Sequence, residues 1–125
     1  MRIEGHLEKI TSLQQTLAKL DDSEDHETVV ELCMLISAHY INAALHSTGR
    51  LRPDKDIKHN RIPGSLKREN YFEEDDVKIS ELFEELENMR PSQIYGVGKN
   101  GKTARRARFL YAKIRKYCEE VIYVI

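Results

Sequence analysis

The stretch Glu27-Thr-Val-Val-Glu-Leu-Cys-Met-Leu-Ile-Ser-Ala-His-Tyr-Ile-Asn-Ala-Ala-Leu-His-Ser47 decides the fold class. Wound as a helix, its apolar residues Val29, Val30, Leu32, Cys33, Met34, Leu35, Ile36, Tyr40, Ile41 and Leu45 leave only a narrow polar strip around Glu31, His39, Asn42 and His46. A helix apolar nearly all round has to be covered on nearly all sides. Either it is the central helix of a bundle, or the face that carries Met34, Ile41 and Leu45 meets a second subunit.

Working outward, Ile3, Leu7, Ile10, Leu13, Leu17 and Leu20 step by threes and fours onto one stripe, which predicts a first helix from Ile3 to Leu20. The acidic turn Asp21 to Asp25 separates it from the second. Downstream, Gly49 ends the second helix, and Arg50 to Glu69 reads as an irregular basic loop with Pro53 and Pro63-Gly64. Loops of that length inside a domain are usually functional. Val77 to Met89 returns to helical spacing and Arg90-Pro91 stops it. A glycine-bearing link, Tyr95 to Gly101, leads to a last helix from Thr103 to Tyr123, with Ala107, Leu110, Ile114, Tyr117, Cys118 and Val121 inward. The expected fold is all-α, an antiparallel four-helix up-and-down bundle, with residues 1–125 as a single domain.

Composition narrows the function. Apolar residues make up 40% and charged residues 33%, in spaced groups that suit thin amphipathic layers. No uninterrupted apolar run approaches the ~20 residues of a bilayer span, and Met1-Arg-Ile-Glu-Gly-His6 lacks the apolar core of a signal peptide. The expectation is a cytoplasmic protein without membrane contact. Cys33 and Cys118 lack CxxC or Cys-His spacing, so they read as reduced, buried thiols; a disulfide between them would need facing helices and an oxidising compartment. His39 and His46 share the polar strip but lie ~10 Å apart along a helix axis, too far to share one ion. His6 and His26 show no ligand-spaced partner and read as surface residues, so no metal and no cofactor is expected.

The net charge of −1 hides a local asymmetry. From Lys99 to Lys116 there are eight Lys or Arg residues and no acid, whereas from Glu69 to Glu87 nine acids face one lysine. Lys102, Arg105, Arg106, Lys113 and Lys116 fall within one arc of the last helix with Phe109 in its middle, a pattern suited to phosphate contact plus base stacking. The competing reading pairs this face with the acidic helix of the same chain or of a twin, or leaves it solvated.

Gly96-Val-Gly-Lys-Asn-Gly-Lys-Thr103 fits the phosphate-loop pattern at every specified position. A triphosphatase also needs a parallel strand before that loop and a sheet around it, and no segment here supplies one. What survives is an anion site without hydrolysis, formed by Lys99, Gly101, Lys102, Thr103, Arg105 and Arg106. In the basic loop, His59 lies seven positions after Arg52. Such a His can act as acid or base in RNA cleavage while the Arg holds the phosphate; the bland alternative is a histidine that pins the loop.

The layout resembles the HEPN domains (higher eukaryotes and prokaryotes nucleotide-binding). Lys58-His59-Asn60 followed by Leu66 is similar to their Lys-Thr-His-Asp-Leu-type segment, Ser92-Gln-Ile-Tyr95-Gly96 to the loop before their last helix, and Thr103 to Ile122 to that closing helix. Ribonuclease members carry an Arg, four to six residues and a His near the start of the last helix, but no histidine lies between Met89 and Phe109. The resemblance implies a homodimeric, non-catalytic member of the kind that binds nucleotides or accompanies a nucleotidyltransferase; the charge run adds an RNA backbone or an acidic protein partner as what the basic last helix and the Gly96 to Thr103 turn contact. Two other readings stand beside it, a metal-independent ribonuclease using Arg52 and His59 at a dimer cleft, and a structural protein-interaction bundle.

Overall fold

The long apolar helix is the centre of the molecule. In the computed structural model, which describes residues 1–94 and 101–123 and the side chains of 1–90 and 101–123, it forms α2 (His26–Ser47) and packs against α1 (Ile3–Leu17), α4 (Asp76–Ile94) and α5 (Gly101–Ile122). Thirteen α2 residues are buried, Met34, Ile41 and Leu45 completely. The apolar surplus that left room for a covering second subunit is therefore absorbed within one chain. By length and composition α2 would also suffice to cross a bilayer, but 78% of that window is buried inside the fold.

The chain is all-helical among the described residues, with five α-helices instead of the four expected. The extra one is α3 (Ile62–Arg68), which follows a 3₁₀ turn at His59–Arg61 and packs on α4. Pro63 and Gly64 read as breakers in the sequence. In the first turn of a helix, however, a proline loses no ladder bond and its fixed φ suits the start. Ile62 and Leu66, one turn apart, bury the helix's inner side, and the Ser80 hydroxyl of α4 donates to the Pro63 carbonyl at 3.1 Å.

Three helix ends also differ from expectation. α1 stops at Leu17 because the following residues close a turn of their own: the Asp21 carboxylate accepts the Ser23 and Glu24 amides at 2.9 and 2.8 Å. Those two hydrogen bonds hold the Asp21 carboxyl below its ordinary range. Leu20 still packs on the core from outside the helix. α4 runs through position 91 to Ile94, since a proline so near a helix end removes one ladder bond without stopping the last turn. α5 begins two residues early, at Gly101.

The end of α2 matters for the site. Gly49 takes a positive φ of 74°, the Gly49 amide donates to His46 and the Arg50 amide to Leu45, which closes the two bonds of a Schellman cap. A Cβ at Gly49 would meet nothing within 4 Å, so Gly49→Ala incurs backbone strain alone. Urea unfolding should show a loss of about 1 kcal/mol.

Both cysteines are free and buried. Burial pushes the Cys33 thiol up to about 12 and raises that of Cys118 as well, which makes them poor nucleophiles.

Candidate functional site

The outer side of α5 carries the basic arc, because the inner phase of the helix is occupied by Ala104, Ala107, Leu110, Tyr111, Ile114 and Cys118. Phe109 falls out of that phase and is 48% exposed. The Arg106 guanidinium lies 5.1 Å and the Lys113 ammonium 5.3 Å from its ring centroid, so two cations flank one exposed aromatic ring. Arg106 is shared: it makes a bidentate pair with Glu85 of α4, at 2.7 and 2.8 Å, and holds that carboxyl below its ordinary range. Among the described residues, no carboxylate lies within ion-pairing distance of Lys102, Arg105, Lys113 or Lys116. Lys113 and Lys116 also line a surface cavity with Tyr117 and Glu120.

The basic run thus divides. Arg108 turns inward and is structural: its Nε donates to Asp22 at 2.6 Å and its Nη2 to the Leu17 and Leu20 carbonyls, at and just past the end of α1. Arg106 ties α5 to acidic α4, as the pairing alternative required. Arg115 pairs with Glu119 one turn on at 3.2 Å, and Lys102, Arg105, Lys113 and Lys116 stay outward.

Of the anion-site residues, Gly101, Lys102 and Thr103 form the first turn of α5, Arg105 and Arg106 follow, and Lys99 lies outside the described residues with the rest of the glycine link. Gly101 has a packing reason of its own. A Cβ there would come within 2.8 Å of Arg105 Nη1 and 2.9 Å of Ser23 Oγ, so the glycine lets α5 start close against the Asp21–Asp25 turn. No strand occurs among the described residues, which removes the sheet that a phosphate-loop hydrolase needs.

Arg52 and His59 have separate partners. Arg52 pairs with Asp54 at 3.6 Å on an exposed loop, and His59 Nδ1 lies 3.2 and 3.3 Å from the Glu87 carboxylate oxygens. His59 fastens the turn before α3 to α4, the pinning role.

A second group of side chains escapes the sequence reading. His6 is not a surface residue: it is 2% exposed, at the first turn of α1, and meets two histidines of α2. Its Nδ1 lies 2.9 Å from His39 Nδ1, and its ring stacks on that of His46 with centroids 5.4 Å apart. His39 and His46 do lie on successive parts of one strip, and the third ring sits against both. Asp56, on the loop after α2, completes the group: its Oδ1 lies 2.8 Å from His6 Nε2 and 3.0 Å from His46 Nε2, and its Oδ2 accepts the Met1 ammonium at 2.8 Å. The Nδ1 of His46 donates to the Leu51 carbonyl at 3.2 Å. His26 is half-buried, with its Nδ1 on the Ser23 carbonyl.

The electrostatics follow from burial. Desolvation, then the neighbouring His6 and Lys9, pushes His39 down to about 4; burial likewise lowers His6 against the pull of Asp56. Partial burial raises the Asp56 carboxyl, but the Met1 ammonium and the His46 and His6 imidazoles that face it outweigh this and hold the group well below the carboxylate range. Asn42 positions the loop. Its Oδ1 accepts the Ile57 amide at 2.8 Å and its Nδ2 donates to the Ile57 and Ala38 carbonyls at 3.1 Å, which fixes the residue next to Asp56 against α2.

No family model, curated protein or solved structure matches the chain.

Proposed function

We propose that this chain is a non-catalytic helical binding module of the HEPN-like kind, whose α5 face holds single-stranded RNA. Lys102, Arg105, Lys113 and Lys116 contact backbone phosphates, and Phe109 stacks a base. One observation carries the reading: a half-exposed phenyl ring flanked by two cations on a helix face whose other cations have no carboxylate partner among the described residues. An exposed aromatic with no ligand to cover it loses free energy to water, and a nucleobase is a partner that the surrounding charges also favour. The ribonuclease reading gains no support from the geometry, since Arg52 and His59 are engaged with different carboxylates. Pairing with a second copy or with a nucleotidyltransferase rests on the family resemblance alone.

Fluorescence anisotropy with a labelled single-stranded RNA tests it. Binding should be salt-dependent, and Lys102→Glu with Arg105→Glu should reduce the slope of log affinity against log salt by at least about 1.4, or ~0.7 per phosphate contact. Phe109→Ala should weaken binding by about 5- to 150-fold, the range set by ~1–3 kcal/mol per stacked base. Absence of binding at low salt, or indifference to both changes, sinks the proposal.

A further inference from the structure

We infer that His6, His46 and Asp56 form a binding site for one divalent metal ion of the zinc class. The inference is independent of the nucleic-acid reading and starts from hydrogen-bond polarity. The Leu51 carbonyl oxygen can only accept, so His46 Nδ1, 3.2 Å away, carries the N–H. In a neutral imidazole the other nitrogen then presents a lone pair. That nitrogen, Nε2, faces Asp56 Oδ1 at 3.0 Å, and a carboxylate oxygen has only lone pairs to offer. Two such atoms rest so close only with a proton or a metal ion between them.

A proton on His46 would also satisfy that contact; what points to an ion is the convergence of three donor groups, each held in place. His6 Nε2 converges on the same Oδ1 at 2.8 Å, and the three donor atoms all lie within 4.8 Å of one another. Each ring is also held from behind: His46 by the Leu51 carbonyl, His6 by His39 Nδ1 at 2.9 Å. That outer bond is how proteins fix the tautomer and aim of metal-binding imidazoles.

The dimensions fit. Zinc with ligands at ~2.0–2.1 Å in a tetrahedron spaces its donors about 3.3 Å apart, so the two contacts to Asp56 need to open by about half an ångström or less, and the two imidazole nitrogens, within 4.8 Å of each other, need to close by at most about 1.5 Å. Asp56 can supply the first of these movements: its side chain is 34% exposed on a loop, while those of His6 and His46 are 3% and 2% exposed. The same exposure opens the fourth position to water. Two imidazoles with one carboxylate suit zinc or cobalt and not the all-oxygen shells of calcium or magnesium. The ion would join the first turn of α1, the last turn of α2 and the loop that follows it.

Titration calorimetry with zinc chloride on chelator-stripped, full-length protein tests the site, with cobalt(II) absorption as a second readout. The expected result is one ion per chain, visible cobalt bands, and a melting temperature that rises with zinc. Asp56→Asn and His46→Gln should each weaken zinc binding by at least about 100-fold, the upper end for loss of an outer partner alone. His59→Ala and His26→Ala, outside the cluster, should change nothing. Asp56→Asn alters an exposed loop residue, and circular dichroism checks that it folds. Wild type that takes up no zinc at micromolar concentration overturns the inference, as does a folded Asp56→Asn that binds as tightly as wild type.

Discussion

Phe83→Ala is expected to lower the unfolding free energy by about 3–5 kcal/mol. Phe83 is among the largest fully buried side chains, and with Ile79 and Leu86 it forms the inner side of α4. The acidic outside of that helix makes no comparable contribution: its carboxylates meet Lys67 at 3.4 Å and Arg106 at 2.7 Å on half-exposed surfaces, where ion pairs contribute ~0–1 kcal/mol. The helix is therefore held by its apolar side. Domains are stable by only about 5–15 kcal/mol, so one truncation removes a large share. Val77, on the same helix but 56% exposed, supplies the control: Val77→Ala should stay within about 0.5 kcal/mol. Equal midpoints in urea for the two variants would mean that α4 does not pack by this side.

The two helices that specify the core were legible because their patterns are one-dimensional. Met34, Ile41 and Leu45 announce a helix covered on every side, and Ala107, Leu110 and Ile114 give the inner phase of the last one, from which Phe109 falls out as exposed. What stayed hidden depends on tertiary neighbours. Pro63 reads as a breaker until the segment is seen to start a helix there, and Pro91 reads as a stop although it falls near the end of α4. The histidine cluster was hidden for a different reason. His6 meets partners 33 and 50 positions away, which no spacing rule within one helix can find. One signal was present: His6 lies three residues after Ile3 and four before Ile10, on the apolar stripe itself, where a polar ring must be buried against something. The charge run was legible as a run, but not its division into Arg108 as a cap, Arg106 as a tie to Glu85, Arg115 as a partner of Glu119, and Lys102, Arg105, Lys113 and Lys116 outward.

Asn42→Ala should destabilise the fold by about 2–3 kcal/mol, a large effect for a change outside the apolar core. Asn42 is 4% exposed on α2 and satisfies both backbone groups of Ile57 at once. Removing its amide leaves an N–H and a carbonyl facing the helix with no side-chain partner, and each such group costs ~1–3 kcal/mol when water cannot reach it. The loop has an escape that limits the loss: it can peel off and hydrate, at the expense of whatever it positions. Asp56 is the adjacent residue, so peeling separates its carboxylate from His6 and His46. Two measurements then move together. Amide exchange at Ile57 should accelerate, and zinc-induced stabilisation, if the cluster holds that ion, should fall as Asp56 loses its fixed place. Asp54→Ala, two residues from Asp56 on the same loop and paired only with exposed Arg52, should leave both unchanged. A protected Ile57 amide in Asn42→Ala would show that the loop is held by other contacts and that the asparagine does not position the site.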